Sequence, residues 1–252
     1  ALAFGGGPGS KNETELYNGT NWTEVNNLTT ARANIQGNGT QTATLAFGGY
    51  TGSQTAVTEL WNGTNWTEVN DLNTARYSPG GAGTSTAGLA FGGATPVKNE
   101  TELWNGTNWT EVNNLGTARY GAAGAGTSTA ALAFGGTADP PNTALTEIWN
   151  GTNWTEVNDL NTARYNSGGA GTQTAALVFG GNGGPTGTNV TETWNGTNWT
   201  EVGDLGTARN GLAGAKSGTN TATLAFGGAT PAASAATEEW NAGAQVKTID
   251  TD

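Results

Sequence analysis

A twelve-residue phrase that recurs with hardly a change constrains this chain more than any other feature. At residues 58–69 it reads Thr-Glu-Leu-Trp-Asn-Gly-Thr-Asn-Trp-Thr-Glu-Val, and close copies begin at Thr14, Thr101, Thr146 and Thr191, with a degraded copy at Thr237. Each copy follows Leu-Ala-Phe-Gly-Gly or a one-residue variant, and the successive Phe residues stand 43, 44, 43, 45 and 47 positions apart. Self-similarity at such a fixed period indicates a repeat architecture.

Each repeat reads as four short strands separated by turn residues. The segments 77–83 and 87–91 represent the first and second strands, and 57–61 and 66–69 the third and fourth. Runs of this length bounded by Gly, Asn, Thr and Pro are typical of an all-β fold. Four antiparallel strands per unit, repeated around six times, predict a six-bladed β-propeller. We therefore expect one domain over 1–252, with units at about 1–31, 32–75, 76–118, 119–163, 164–208 and 209–252.

The phrase also contains a hairpin signal, because both residues of Asn62-Gly63 accept the backbone angles of a type I′ turn. A loop of four residues, 62–65, is the alternative, and it would place Trp61 opposite Trp66 on one face of the ribbon. The Trp pair favours the longer loop. We expect the Trp and Phe residues to fill the spaces between blades, and the small residues of the first strand to lie innermost, where the blades converge.

The first unit is incomplete. Five arginines open complete repeats, whereas the first unit starts directly at its second strand, residues 1–4. Three explanations remain open: the ring closes with a three-stranded blade, the tail 245–252 crosses over, or the strand lies upstream in a longer protein. The last unit has lost its second Trp, as expected of a closing repeat.

The order of features in a unit resembles the kelch repeat. An arginine precedes a Gly-rich strand, an apolar strand ending in Gly-Gly, a variable loop, and an aromatic residue with a Trp soon after it. Gly92-Gly93 and the pair Trp61 and Trp66 carry the resemblance over essentially the whole chain, although the two aromatics are closer than is usual in kelch. The phrase Trp-Asn-Gly-Thr-Asn-Trp-Thr-Glu-Val is also similar to repeats in tail-fibre and other structural proteins predicted from marine bacteriophages.

Composition excludes several kinds of chemistry. The chain has no Cys and no His, and its net charge of -11 is the wrong sign for a phosphate-backbone binder. No apolar run approaches the roughly 18 residues that span a bilayer. Every acid of the repeat recurs in other units, so no carboxylate pair stands out for glycoside hydrolysis. We expect no enzyme activity, no cofactor, no metal, no nucleic acid partner and no membrane insertion.

Sequence variation is confined to one class of loop. The loops between second and third strands, at 7–12, 50–56, 94–99, 137–144, 182–189 and 229–236, all differ, whereas the Asn-Gly-Thr-Asn loops are nearly identical. Variable loops on a rigid scaffold are where binding usually occurs. The candidate ligand-binding residues on this face are Arg32, Arg76, Arg119, Arg164, Arg209, Tyr77, Tyr120, Tyr165, Tyr50, Lys98, Asn99, Asp139, Asn142 and Asn182.

The repeated Arg and Trp residues also have a structural interpretation. A ring of Arg and Tyr at a channel mouth can bind a carboxylate or stack on a sugar. Alternatively, each Arg pairs with a repeat glutamate such as Glu59 or Glu68. Exposed Trp pairs bind sugars, but Trp at a fixed period favours packing between blades. The Asn-X-Thr triplets are formally N-glycosylation acceptors, although the hairpin also explains Asn62.

These observations favour a non-enzymatic recognition or adhesion module on a virion or cell surface. We expect it to bind a glycan or protein receptor and to belong to a longer or multimeric assembly. A structural spacer or engineered scaffold without a ligand is the alternative, because nearly identical repeats suit that role equally. A glycosidase-like enzyme is the third hypothesis.

Overall fold

Short strands follow one another along the chain, and no helix occurs among the residues that the structure describes. The structure is a computed structural model, and it describes residues 1–138, 141–184, 187–243 and 247–249. Its strands form six antiparallel sheets, the blades of a six-bladed β-propeller. Within each blade the strands pair in chain order.

The strands of the six blades are as follows. Blade 1 contains β1 (Leu2–Phe4), β2 (Thr14–Tyr17) and β3 (Trp22–Val25), and blade 2 contains β4 (Gln36–Thr40), β5 (Ala43–Phe47), β6 (Thr58–Trp61) and β7 (Trp66–Val69). Blade 3 contains β8 (Gly80–Gly83), β9 (Gly88–Phe91), β10 (Thr101–Trp104) and β11 (Trp109–Val112), and blade 4 contains β12 (Ala123–Gly126), β13 (Ala131–Phe134), β14 (Thr146–Trp149) and β15 (Trp154–Val157). Blade 5 contains β16 (Gly168–Gly171), β17 (Ala176–Phe179), β18 (Thr191–Trp194) and β19 (Trp199–Glu201), and blade 6 contains β20 (Ala213–Gly214), β21 (Ala222–Phe226), β22 (Thr237–Asn241) and β23 (Lys247–Ile249).

The hairpin between third and fourth strands has the four-residue loop. Trp61 lies opposite Trp66, and the side-chain oxygen of Asn62 accepts the N–H groups of Thr64 at 3.0 Å and Asn65 at 2.9 Å. Gly63 has a φ of 95°, a value that glycine adopts without strain. The asparagine thus closes the turn with its own side chain, which confirms the longer of the two expected loops.

The first strand is shorter than the sequence predicts. In blade 3 it begins at Gly80 rather than at Tyr77, which forms only an isolated bridge with Ala94. The intervening Ser78 has a φ of 50° and turns the chain away from the extended conformation. Its N–H donates to the carbonyl oxygen of Asn34 in blade 2 at 2.9 Å, so this residue links two blades instead of extending a strand.

Small residues line the centre, as expected. The first strands of blades 2 to 6 contact one another around the axis. A β-carbon on Gly80 would overlap the ring of Phe91, and one on Gly124 would lie 2.7 Å from that ring. Each Phe therefore covers the first strands of two neighbouring blades, which leaves no room there for a larger residue.

The fourth-strand Trp joins each blade to the one before it. Trp109 packs against Phe47 with ring centroids 5.1 Å apart and donates its indole N–H to the hydroxyl of Thr58 at 3.1 Å. The same contacts recur in four other interfaces through Trp22, Trp66, Trp154 and Trp199. The interpretation of the Trp residues as blade packing is therefore confirmed.

Trp22 closes the ring, because its partners Phe226 and Thr237 belong to blade 6. The interface between blades 5 and 6 is different, since the last unit has no second Trp in its sequence. Phe179, Thr191 and Trp240 line a small apolar cavity at that interface.

Blade 1 has three strands. β23 pairs with β22 as the outermost strand of blade 6, with Thr237 opposite Ile249. Within residues 1–252 blade 1 has three strands, and residues 247–249 of the tail do not cross to blade 1. A first strand upstream of residue 1 stays a prediction. The remaining tail residues, 245, 246 and 250–252, lie outside the described part of the chain.

We predict that Trp109→Phe lowers the free energy of unfolding by about 1–3 kcal/mol, because it removes the indole donor and part of the packed ring. Urea unfolding followed by far-UV circular dichroism measures this change. A double-mutant cycle with Thr58→Val isolates the hydrogen bond, and we expect a coupling of about 1 kcal/mol. Strictly additive effects would contradict a direct interaction between the two side chains.

Candidate functional site

The two ends of the ring differ in how their loops are used. We call the end with the second-to-third-strand loops the loop face, and the end with the Asn-Gly-Thr-Asn loops the hairpin face. On the hairpin face the blades are tied by side-chain amides: Asn70 donates to the carbonyl oxygen of Thr107 at 3.0 Å and to the side-chain oxygen of Asn108 at 2.7 Å. Similar bonds start from Asn26 and Asn158. This linkage explains why the hairpin-face loops hardly vary.

The five candidate arginines lie in the interior. Arg32, Arg76, Arg119, Arg164 and Arg209 all have side chains that are 0% exposed, and they form salt bridges of 2.5–2.8 Å with Glu59, Glu102, Glu147, Glu192 and Glu238. The expected alternative of pairing with a repeat glutamate is therefore confirmed. The partner is the glutamate of the third strand, and the fourth-strand glutamate such as Glu68 is exposed.

The pair in blade 3 shows how a buried charge is satisfied. Arg76 donates to a Glu102 carboxylate oxygen at 2.6 Å and to the carbonyl oxygens of Gly92 at 2.9 Å and Glu100 at 2.8 Å. Glu102 also accepts from the backbone N–H and side-chain amide of Asn73. Burial lowers the pKa of Arg76, and the carboxylate of Glu102 opposes that shift.

This geometry corrects the expectation that the arginines contact a ligand. All five guanidinium groups are closed off from solvent and neutralised, so they hold the connecting segments in place rather than face the channel mouth. The reason is desolvation: a buried charge is tolerated only with a partner, and the third strand supplies that partner in each complete blade.

The candidate tyrosines do form a surface. The rings of Tyr50, Tyr77, Tyr120 and Tyr165 follow one another with centroid distances of 5.9, 6.3 and 6.2 Å, across blades 2 to 5 on the loop face. Tyr50 is 41% exposed and the other three are half-buried. We call these four residues the tyrosine arc. The arc ends in blade 6, where Asn210 occupies the corresponding position.

The other candidate residues mainly fix the loops. Lys98 is buried, and its backbone bonds to Gly93 and Arg119. Asn99 donates its amide to the carbonyl oxygen of Leu115 at 3.1 Å. Asn142 donates to the carbonyl oxygen of Asn182 at 2.9 Å and so joins the loops of blades 4 and 5. The remaining candidate, Asp139, lies outside the described residues.

The sequence analysis did not single out one buried cation, Lys216. Lys216 lies between β20 and β21, and its ammonium donates to the carbonyl oxygens of Gly124 at 2.8 Å and Gly81 at 3.4 Å. It thus crosses the axis from blade 6 to the first strands of blades 4 and 3. Burial lowers the pKa of Lys216 to about 8. The spacing in the sequence could have indicated this difference. Arg209 and Phe226 are 17 positions apart, whereas the equivalent residues of the other complete units are 15 apart.

Comparison with known proteins did not identify a relative: no protein-family model matches the chain, and no curated protein sequence is significantly similar to it. Among the described residues, no helix is long and apolar enough to cross a membrane. The same part of the chain contains no cluster of three or more carboxylates that could hold a metal ion.

We predict that Glu102→Gln destabilises the fold by about 3–5 kcal/mol, because it leaves the buried guanidinium of Arg76 without its counter-ion. Urea unfolding at neutral pH measures the change. Glu111→Gln is the matched control, since Glu111 lies directly opposite Glu102 in the hairpin but is exposed, and we expect a change within about 0.5 kcal/mol. Equal losses in both variants would argue against the buried pair as the source of stability.

The lowered pKa of Lys216 predicts a pH dependence. Between about pH 8 and the ordinary value of 10.5 the folded protein has released a proton that the unfolded chain still binds. Raising the pH through this window therefore increases the free energy of unfolding. We expect the free energy of unfolding to rise more with pH in the wild type than in Lys216→Met. Urea unfolding at several pH values across the window measures this difference. Lys11→Met, which replaces an exposed lysine, should retain the wild-type slope.

Proposed function

We propose that the protein is a non-enzymatic recognition module that binds a surface glycan with its loop face. The observation that carries this proposal is the tyrosine arc. Four aromatic rings, one of them 41% exposed, follow each other around one end of a closed ring. Aromatic rings offer apolar faces and a polar hydroxyl, a combination suited to the C–H groups and hydroxyls of a sugar.

The arc is held rigidly enough to act as a platform. The backbone of Tyr77 pairs with Ala94 and that of Tyr165 pairs with Asn182, so each ring stands beside a variable loop. Neighbouring loops are joined in turn, for example by the side chain of Gln54, which donates to the carbonyl oxygen of Thr95 at 2.9 Å. Pre-organised contacts reduce the ordering cost of binding.

The charge distribution favours a neutral ligand. The five arginines that would attract a carboxylate are neutralised inside the blades, and the chain as a whole carries a net charge of -11. An acidic sugar would therefore approach a surface that repels it. We propose neutral saccharides as the ligand class.

The resemblance of the repeats to kelch units and to repeats of phage structural proteins fits a role on a virion or cell surface. Such a location would bring the loop face to the glycans of a host cell. Most glutamates occupy positions that recur in several units, as expected of a scaffold, and this supports a binding role rather than hydrolysis.

We predict that the labelled protein binds selectively within a panel of neutral glycans, and that Tyr77→Ala weakens this binding about tenfold, the size of one lost aromatic contact. Tyr77→Phe should retain most of the affinity because it keeps the ring. Glycan-array screening followed by isothermal titration calorimetry provides the measurement.

Thr107→Ala, on an exposed loop of the hairpin face, is the control and should bind like the wild type. Circular dichroism must show that each variant is folded. A folded wild-type protein that binds no glycan in the panel would favour the alternative of a structural spacer, for which the closed ring and its buried arginine–glutamate pairs are sufficient. Binding that Tyr77→Ala leaves unchanged would place the ligand elsewhere.

A further inference from the structure

Three asparagines lie together where the tyrosine arc ends, between blades 5 and 6: Asn166, Asn182 and Asn210. Asn166 directly follows Tyr165 in the chain, and its backbone carbonyl oxygen accepts from the N–H of Gly211, the neighbour of Asn210, at 2.9 Å. The backbone of Asn182 pairs with that of Tyr165. The last ring of the arc is therefore bordered by three asparagine residues.

Asn182 faces the same surface as the tyrosine rings. It is the loop member of a backbone pair, and the equivalent pair in blade 2 joins Tyr50 to Ala33. The ring of Tyr50 lies in the arc, 5.9 Å from the ring of Tyr77. Because directly opposite residues of an antiparallel pair project to one side, the Asn182 amide points to the same side as the ring of Tyr165.

The other two asparagines also border the arc. A β-carbon on Gly121 would stand 2.5 Å from the side-chain oxygen of Asn166 and 3.2 Å from Cδ2 of Tyr165. Gly121 directly follows Tyr120, so the Asn166 amide lies between two successive tyrosines. Asn210 pairs with Ala229 as Tyr165 pairs with Asn182, and it therefore continues the arc into blade 6 with an amide instead of a ring.

These three side-chain amides have no hydrogen-bond partner within the part of the chain that the structure describes. All three residues are half-buried. By contrast, the hairpin-face asparagines such as Asn70 use their amides to join blades. A half-buried amide without a protein partner is bonded to water, and a ligand amide or hydroxyl can take the place of that water.

The repeat does not explain this cluster. Among the complete units, blade 5 alone has an amide at both the Asn166 and the Asn182 positions. Asn166 has a φ of 52°, a conformation that asparagine tolerates, but Asn182 and Asn210 have no such backbone reason to be asparagine. The residues equivalent to Asn182 in the other complete units are Tyr50, Ala94, Thr137 and Ala229.

An amide on the ligand matches the cluster best. An asparagine side chain has a carbonyl acceptor and an NH2 donor side by side, so it can form two hydrogen bonds at once with a second amide. In a neutral sugar the acetamido group supplies such an amide, and its methyl group packs well on an aromatic ring. Neither partner needs a charge, in agreement with the neutral ligand class proposed above.

We propose that Asn166, Asn182 and Asn210 select neutral glycans that contain N-acetylhexosamine. The sugar rings pack on the tyrosine arc, and an acetamido group bonds to the asparagine amides at its end. This inference rests on the proposed function of the loop face. A hexose with a hydroxyl in place of the acetamido group leaves part of the cluster without a partner and therefore binds more weakly.

The test compares two linear trisaccharides, the N-acetylglucosamine trimer of chitin and the glucose trimer of cellulose. They have the same linkage and differ in the acetamido group. We expect the chitin trimer to bind at least about tenfold more tightly in isothermal titration calorimetry, as two added neutral hydrogen bonds would allow. Further pairs of neutral glycans, with and without the acetamido group, extend the comparison and should show the same preference.

One variant combines Asn166→Gly, Asn182→Ala and Asn210→Ala. Each replacement is the residue that another unit has at the equivalent position, so the fold is retained: Gly121, Ala94 and Ala33. This variant should bind the chitin trimer and the glucose trimer with nearly equal affinity, because it loses the bonds to the acetamido group. A purely structural role of the asparagines would instead weaken both trimers by the same factor and would contradict the inference.

Asn34→Gly is the matched control, since it makes the same change as Asn166→Gly at the equivalent position of blade 2. It should keep the preference for the chitin trimer. Tyr77→Ala should weaken both trimers equally, because it removes a ring and no amide. Equal affinity of the wild type for the members of each pair would overturn this inference and leave glycan binding intact. Absence of binding to every neutral glycan would overturn both proposals.

Discussion

The buried arginine–glutamate pair is the interaction on which the rest of the ring depends. In blade 3 it connects three parts of the chain: the segment that arrives from blade 2 through Asn73, the start of the first strand at Arg76, and the third strand at Glu102. Because an unpaired buried charge is strongly destabilising, these parts can assemble in only one arrangement. The pair thus fixes where each new blade begins relative to the blade before it, and it does so five times.

This fixed frame determines where sequence can vary. The hairpin face is bound from blade to blade by asparagine amides such as Asn70, and the interior by Trp109 and its equivalents, so both tolerate little change. The loop face is anchored near the arginines by backbone bonds that recur in each complete blade, for example from Arg119 N–H to the Lys98 carbonyl oxygen. Backbone bonds place no demand on side chains, and the loops between these anchors are therefore free to differ in length and composition.

Much of this architecture could be predicted from the repeat itself. The period and the turn residues predict the blades, and the pairing of Trp61 with Trp66 follows from the loop that Asn62 closes. The sequence alone left both Glu59 and Glu68 as possible partners of Arg32, because both recur once per unit. The two differ in that Glu59 is buried and Glu68 is exposed. The tyrosine arc could also be predicted only in part from the sequence. Tyr50 belongs to a loop and Tyr77 to a strand entry. Tyr50 pairs with Ala33, and its ring centroid lies 5.9 Å from that of Tyr77.

Departures from the repeat carry different information from the repeat itself. A residue present in every unit is explained by the scaffold, as the five arginines are, whereas Lys216 and Glu15 differ from their equivalents for local reasons. Lys216 follows a two-residue insertion and bonds across the axis, and Glu15 lies in the unit without a first strand. The tyrosine arc is neutral and lies over blades 2 to 5, while the edge of blade 1 is acidic and exposes backbone groups. Their chemistry and position differ, so the two departures from the repeat mark separate surfaces of one ring.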